Sequence, residues 1–166
     1  MLLLGNILSF AGCLLMVAVG FIKKKERVLL IQCVQFALMG SGHFCLGASS
    51  GVVANIVSIL RNLIFVRYKG TNWLKYVFVA LQFVLTMFTG LGEPISWIPL
   101  IAVVVYTWFL DSCGPISFKA LNIGCQVLWC IYDLYFMNFA AFTFDILSII
   151  SNIGGIILIR KSRGEA

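Results

Sequence analysis

Charge is scarce in this chain. Of its 166 residues, 11% are Asp, Glu, Lys or Arg while 61% are apolar, and the mean hydropathy is +1.05. A water-soluble domain carries about 25% charge, so a soluble fold is excluded: the apolar surface is too large to hide in a body of this size. Acidic residues are scarcest, six against twelve basic, for a net charge of +6. In a soluble protein that surplus would suggest nucleic acid; here its placement along the chain explains it better, and no nucleic-acid partner is expected. Histidine occurs once, too few for the usual metal sites. The six cysteines, Cys13, Cys33, Cys45, Cys113, Cys125 and Cys130, show no CxxC or Cys/His spacing and mostly lie in apolar runs as small packing residues. There is no phosphate-cradling glycine loop and no Ser/His/Asp order that survives placement on helices. Neither catalysis, nor a metal, nor a cofactor is expected. Proline is confined to Pro94, Pro99 and Pro115, leaving the first half without any.

What remains is a bilayer protein. A hydrocarbon core about 30 Å thick takes about 20 helical residues per crossing, so the chain holds about seven crossings in one membrane domain, 1–166. The apolar runs place them near 2–22, 28–46, 48–66, 73–91, 95–110, 117–137 and 140–159. The first lacks a positive leader and is followed by Lys23, Lys24, Lys25 and Arg27, which marks an uncleaved helix rather than a signal peptide. With seven spans, these residues and Arg67, Lys69, Lys75, Lys119, Arg160, Lys161 and Arg163 share one side, and the other side receives only Glu93. Cytoplasmic loops are enriched in Lys and Arg, so the N-terminus is expected outside and the C-terminus inside. Gly92, with Glu93 and Pro94, ends the fourth span, and a turn at Asp111 precedes the sixth. Arg61 is left over within the third span, where a long stem can snorkel to the interface.

Two polar stripes organise the chain. The third span carries Asn55, Ser58 and Asn62 on one helical face; ninety residues later the seventh carries Asp145, Ser148 and Asn152 at the same spacings. The same offset aligns His43 with Asp133 and the second span with the sixth without a gap. A duplication follows: a first three-helix repeat over 2–69, a linker helix over 70–92 and a second repeat over 93–161. An even displacement of four helices keeps both copies in one orientation, so the repeats are parallel. Polar groups inside a membrane are expensive and face the bundle interior, so the stripes are expected to wall a solute site. Asn62 and Asn152 offer amide donors and acceptors to a solute, or else hold neighbouring helices together. Asp145 and Asn55 lie nearer the outer face, where the aspartate accepts a cation or proton or else reaches outer water. On the sixth span, Gln126, Trp129 and Asp133 repeat the spacing, and the Trp129 indole either stacks on a ring-bearing solute or packs. His43 and Asp133 form an outer gate if the repeats face each other across a pore, or else stand as separate interfacial residues. Gly40, Gly42 and the Gly47/Gly51 GxxxG step allow close helix approach.

A 3+1+3 plan with N-terminus out, and asparagines at corresponding places in the third and seventh helices, resembles the SWEET and PQ-loop transporter superfamily, which includes the PnuC vitamin-precursor transporters. The whole chain resembles more closely the YgjV-like bacterial inner membrane proteins, which implies a multi-pass protein of that membrane. The SWEET resemblance implies that Asn62 and Asn152 bind a sugar-like solute and that Asp133 with His43 forms the outer gate. No Pro-Gln pair occurs, and the hinge prolines of those transporters are missing from the first repeat. The expected function is a facilitator or permease for a sugar, nucleoside or vitamin precursor, with membrane lipid and the solute as partners. The competing expectation is a non-transporting receptor or assembly factor on the same fold. A homodimer is compatible with the sequence, which does not demand one.

Overall fold

The computed structural model describes residues 1–19, 25–68, 72–89, 93–109 and 113–164. Among the described residues seven α-helices run in chain order: α1 (Leu2–Val19), α2 (Lys25–Cys45), α3 (Ser49–Arg67), α4 (Asn72–Thr89), α5 (Trp97–Phe109), α6 (Pro115–Tyr135) and α7 (Phe139–Gly164), with a 3-10 turn at Pro94–Ser96 before α5. There is no strand among the described residues. The helices fall on the expected apolar runs. Lys23, Lys24, Lys69, Gly92 and Asp111 lie outside the described residues. Pro99 sits in the first turn of α5, where a missing N–H costs little. Three helices are long and apolar enough to cross a membrane, with spans at Glu26–Cys45, Ser49–Arg67 and Phe139–Lys161.

The burial pattern is that of a protein dissolved in lipid. Large apolar side chains face outward, Phe44 and Phe88 among the most exposed, while the buried set is nearly as rich in polar as in apolar residues. Such an outer surface fits hydrocarbon, not water. Helix α1 packs on α2 and α7, α2 on α3, α3 on α5, α5 on α6, and α6 on α7, closing a ring of six. Helix α4 stays outside the ring, against α3 and α5. Phe65, Phe78 and Tyr106 belong to the apolar cluster joining α3, α4 and α5. A smaller cluster of Cys13, Met39 and Ala141 joins α1, α2 and α7. All six cysteines are free thiols, and Cys125 Sγ donates to the Ala102 carbonyl.

Consecutive helices alternate in direction. The near end of the bundle, where α1 begins, also holds the tight α2–α3 and α6–α7 corners; α7 finishes at the far end. The two corners share one design at a ninety-residue offset. Ala48 N–H donates to the His43 carbonyl, and Asn138 N–H to that of Asp133. Gly47 and Met137 both adopt positive φ, 77° and 55°. Helix α6 begins and ends ninety residues after α2, and α7 begins ninety after α3. Gly47 therefore serves a left-handed turn rather than a GxxxG face, and open space surrounds it. Replacing it with alanine forces Cβ into the left-handed region at a cost of about 1 kcal/mol. Met137→Gly relieves a strain of that size but adds chain entropy of about 0.5–1 kcal/mol, so its net effect is small. Unfolding of both variants in mixed detergent micelles is expected to show a clear loss for Gly47→Ala and little change for Met137→Gly.

Candidate functional site

The ring encloses a cavity of about 800 Å³, walled by α1, α2, α3, α5, α6 and α7. It runs from His43, Asp133 and Asp145 toward the near end to Pro115, Leu158 and Ile159 at the far end. Its walls repeat the sequence offset: Gln32 and Asn122, Met39 and Trp129, His43 and Asp133, Asn55 and Asp145, and Ser58 and Ser148 are pairs ninety residues apart, and all line it.

At the near end the cavity is closed by a buried polar cluster. His43 and Asp133 are fully buried, with His43 Nε2 at 2.8 Å from Asp133 Oδ1. The Asn55 amide nitrogen donates to the Gly51 carbonyl at 2.8 Å, which fixes the orientation of that side chain. Its other hydrogen reaches His43 Nδ1 at 3.0 Å. Nδ1 is thereby the acceptor and Nε2–H the donor to the carboxylate, the pattern of a neutral imidazole. Asp133 Oδ1 also accepts from Asn138 Nδ2, while the Asn138 Oδ1 caps α7 by accepting from Ala141 N–H. Asp145 lies beside Asp133, and a side-chain hydrogen bond joins the two carboxyls. At 2% exposure Asp145 does not reach outer water. Tyr132 accepts from Gly51 N–H at 2.7 Å and bonds Ser50 Oγ at 2.9 Å, locking α6 to the start of α3. Gly51 has no room for a Cβ, which would meet the Tyr132 and His43 rings.

The Trp129 indole lines the cavity and stacks on His43, centroids 5.7 Å apart and planes within 12°. Ser148 Oγ accepts from Gln126 Nε2. Asn152 lines the cavity, donates to the Ser148 carbonyl and has no partner on its Oδ1 among the described residues. Asn62 behaves differently. It is fully buried and does not line the cavity: its Oδ1 receives Arg61 Nε and Nη2, and its Nδ2 reaches Gln32 Oε1 and the Leu29 carbonyl. The residue of α3 that reaches the wall beyond Ser58 is Arg61, 1% exposed and so not snorkelling. At 100° per residue, Ser58 has Asn62 about 40° to one side and Arg61 about 60° to the other; the roll of α3 in the ring turned Arg61 inward.

Sequence reasoning also missed Gln32, Gln35, Lys119 and Asn122, all lining the cavity. A signal existed for two of them: Lys119 and Asn122 continue the Gln126, Trp129 and Asp133 stripe of α6 toward its N-terminus at helical spacing.

These features define a helical membrane protein built around a polar internal cavity. The chain belongs to the Imp-YgjV family, described as a bacterial inner membrane protein, which matches residues 3–163. It is accordingly a protein of the bacterial inner membrane. It is similar to the inner membrane protein YgjV of Escherichia coli (strain K12), with 27% identity over 119 residues, 69% of this chain and 62% of that protein. The matched region thus spans less than two thirds of that curated relative. No solved structure matches the chain.

Proposed function

We propose that the protein is a permease or facilitator for a small polar solute, such as a sugar, nucleoside or vitamin precursor. It works by alternating access between two parallel three-helix repeats, α1–α3 and α5–α7, with α4 as linker and neither enzymatic activity nor a cofactor. The observation that carries this reading is the cavity of about 800 Å³, sealed at one end by the buried His43–Asp133 cluster and extending to the other. That volume suits a small ligand, since binding cavities run about 300–1,000 Å³. Arg67, Lys119 and Arg160 gather at the far end, which supports a cytoplasmic placement of that end. The arrangement is then an inward-facing state with its outer gate shut. Trp129 and Asn152 contact the solute, and Asn55, Ser58, Asp145 and Ser148 complete the polar walls, while Asn62 holds Arg61 in place.

The test is uptake by the purified chain in liposomes, across sugars, nucleosides and vitamin precursors. At least one solute is expected to enter faster than into empty liposomes, and Trp129→Ala and Asn152→Ala are each expected to slow it by about tenfold. If every solute fails and both variants match wild type in cells, the protein is a receptor or assembly factor on the same fold.

A further inference from the structure

We infer that the solute carries an anionic group, a carboxylate or a phosphate, held by Arg61 in a cavity to which Lys119 adds a second positive charge. The inference builds on the permease reading, since it names the kind of solute that the cavity takes.

Arg61 is a charged group buried in the ring, facing the cavity, without a carboxylate partner among the described residues. Its neighbours are neutral. Nε and Nη2 donate to Asn62 Oδ1 at 3.1 and 3.0 Å, Nη1 donates to Thr107 Oγ1 at 3.1 Å, and the guanidinium lies over the Tyr106 ring, 4.6 Å from its centroid. A guanidinium has five N–H donors. Three are engaged, so one remains on each terminal nitrogen. The acceptors are themselves fixed: Thr107 donates its own hydrogen to the Val103 carbonyl, and the Asn62 amide is held by Gln32 and Leu29. Arg61 is therefore an oriented donor, held by neutral groups that leave its charge uncancelled. A charge inside a membrane is expensive and is kept where it has a task.

A second cation shares the cavity. Lys119 of α6 lines it and lies along α7 at Gly155, where an added Cβ would come within 2.7 Å of Nζ. Glycine at this position makes the channel for the lysine stem. Among the described residues, the only carboxylates lining the cavity are Asp133 and Asp145. Asp133 is fourteen residues along α6 from Lys119, about 21 Å by helical rise. Among the described residues the cavity is thus polarised, with cations in its far half and carboxylates at its near end. An oxyanion matches the two free N–H groups of Arg61 through charge-assisted bonds that neutral hydroxyls form less strongly, and the ammonium adds a second positive charge to the same cavity.

The experiment uses the full chain in lipid nanodiscs and reads binding by intrinsic tryptophan fluorescence and thermal shift. The probes are inorganic phosphate and two matched pairs, glycerol 3-phosphate with glycerol and benzoate with benzyl alcohol. Each anion is expected to bind at least about tenfold more tightly than its neutral counterpart. Arg61→Gln is expected to abolish that preference, and Lys119→Gln to reduce it about threefold. Because Arg61 also ties α3 to α5, its removal can weaken the fold; Lys119→Gln, at a half-exposed position, then carries the test alone. Three results overturn the inference: no anion binding to wild type up to about 10 mM, equal binding of charged and neutral partners, or an undiminished preference in Lys119→Gln and in any folded Arg61→Gln. Anion binding without uptake into liposomes would sink the permease and leave the subsite; uptake of neutral solutes without anion preference would do the reverse.

Discussion

His43→Ala is expected to lower the unfolding free energy by about 3 kcal/mol, because it strips a fully buried carboxylate of its hydrogen-bond donor from the other half of the chain. Asp133 would keep the Asn138 amide on Oδ1 and the Asp145 carboxyl alongside it. Trp129 would also lose the ring against which it stacks. The double variant His43→Leu with Asp133→Leu is expected to recover much of the loss, since apolar replacement of a buried polar pair is often close to neutral. A double-mutant cycle with His43→Ala and Asp133→Ala in mixed detergent micelles should give a coupling energy of about 2 kcal/mol. Coupling near zero would mean that the contact does not hold α2 to α6, and the gate assigned to this pair would go with it.

The second large effect belongs to the crossing of α1 and α2. At Gly42 a Cβ would collide with Ser9 Oγ, stand 2.9 Å from the Gly5 carbonyl oxygen and 3.2 Å from the Ser9 backbone nitrogen. Two of these atoms are helix backbone, which cannot move aside as a side chain can. Gly42→Ala is thus expected to push α1 away from α2 and cost about 2–3 kcal/mol. Gly124 in α6 provides the contrast: open space surrounds it, so Gly124→Ala should be tolerated or stabilising by up to about 1 kcal/mol. Equal thermal stability of the two variants would show that the α1–α2 approach is not as close as 2.9 Å implies.

Much of the site was legible because its features are periodic. The spacing of Asn55 and Ser58, repeated in Asp145 and Ser148, announces two polar faces on apolar helices, and all four residues line the cavity. The offset that aligns His43 with Asp133 anticipates their contact, since equivalent positions in two copies facing each other fall at one height. Arg61 and Asn62 mark where such reasoning stops. They are adjacent, both polar, and both near the edge of the same stripe, so a rotation of α3 by a few tens of degrees decides which one meets the cavity. That rotation is set by the fit of Phe65 against Phe78 of α4 and by the hydrogen bond from Arg61 to Thr107 of α5. Neither contact has a signature in the spacing of α3 itself. Gly47 and Gly51 show a similar limit: they share one GxxxG spacing, yet the first is a turn and the second a packing position, and only backbone angles and neighbours separate the two roles.

The sequence by itself determined the solvent and the helices, because scarcity of charge and runs of apolar residues are properties of the order of residues alone. Only the tertiary structure decided which of two neighbouring side chains faces the hollow, which carboxyls meet, and that a positive charge stands in the cavity without a carboxylate against it among the described residues. Those depend on how each helix rolls against its neighbours, and roll is fixed by contacts between residues far apart in the chain.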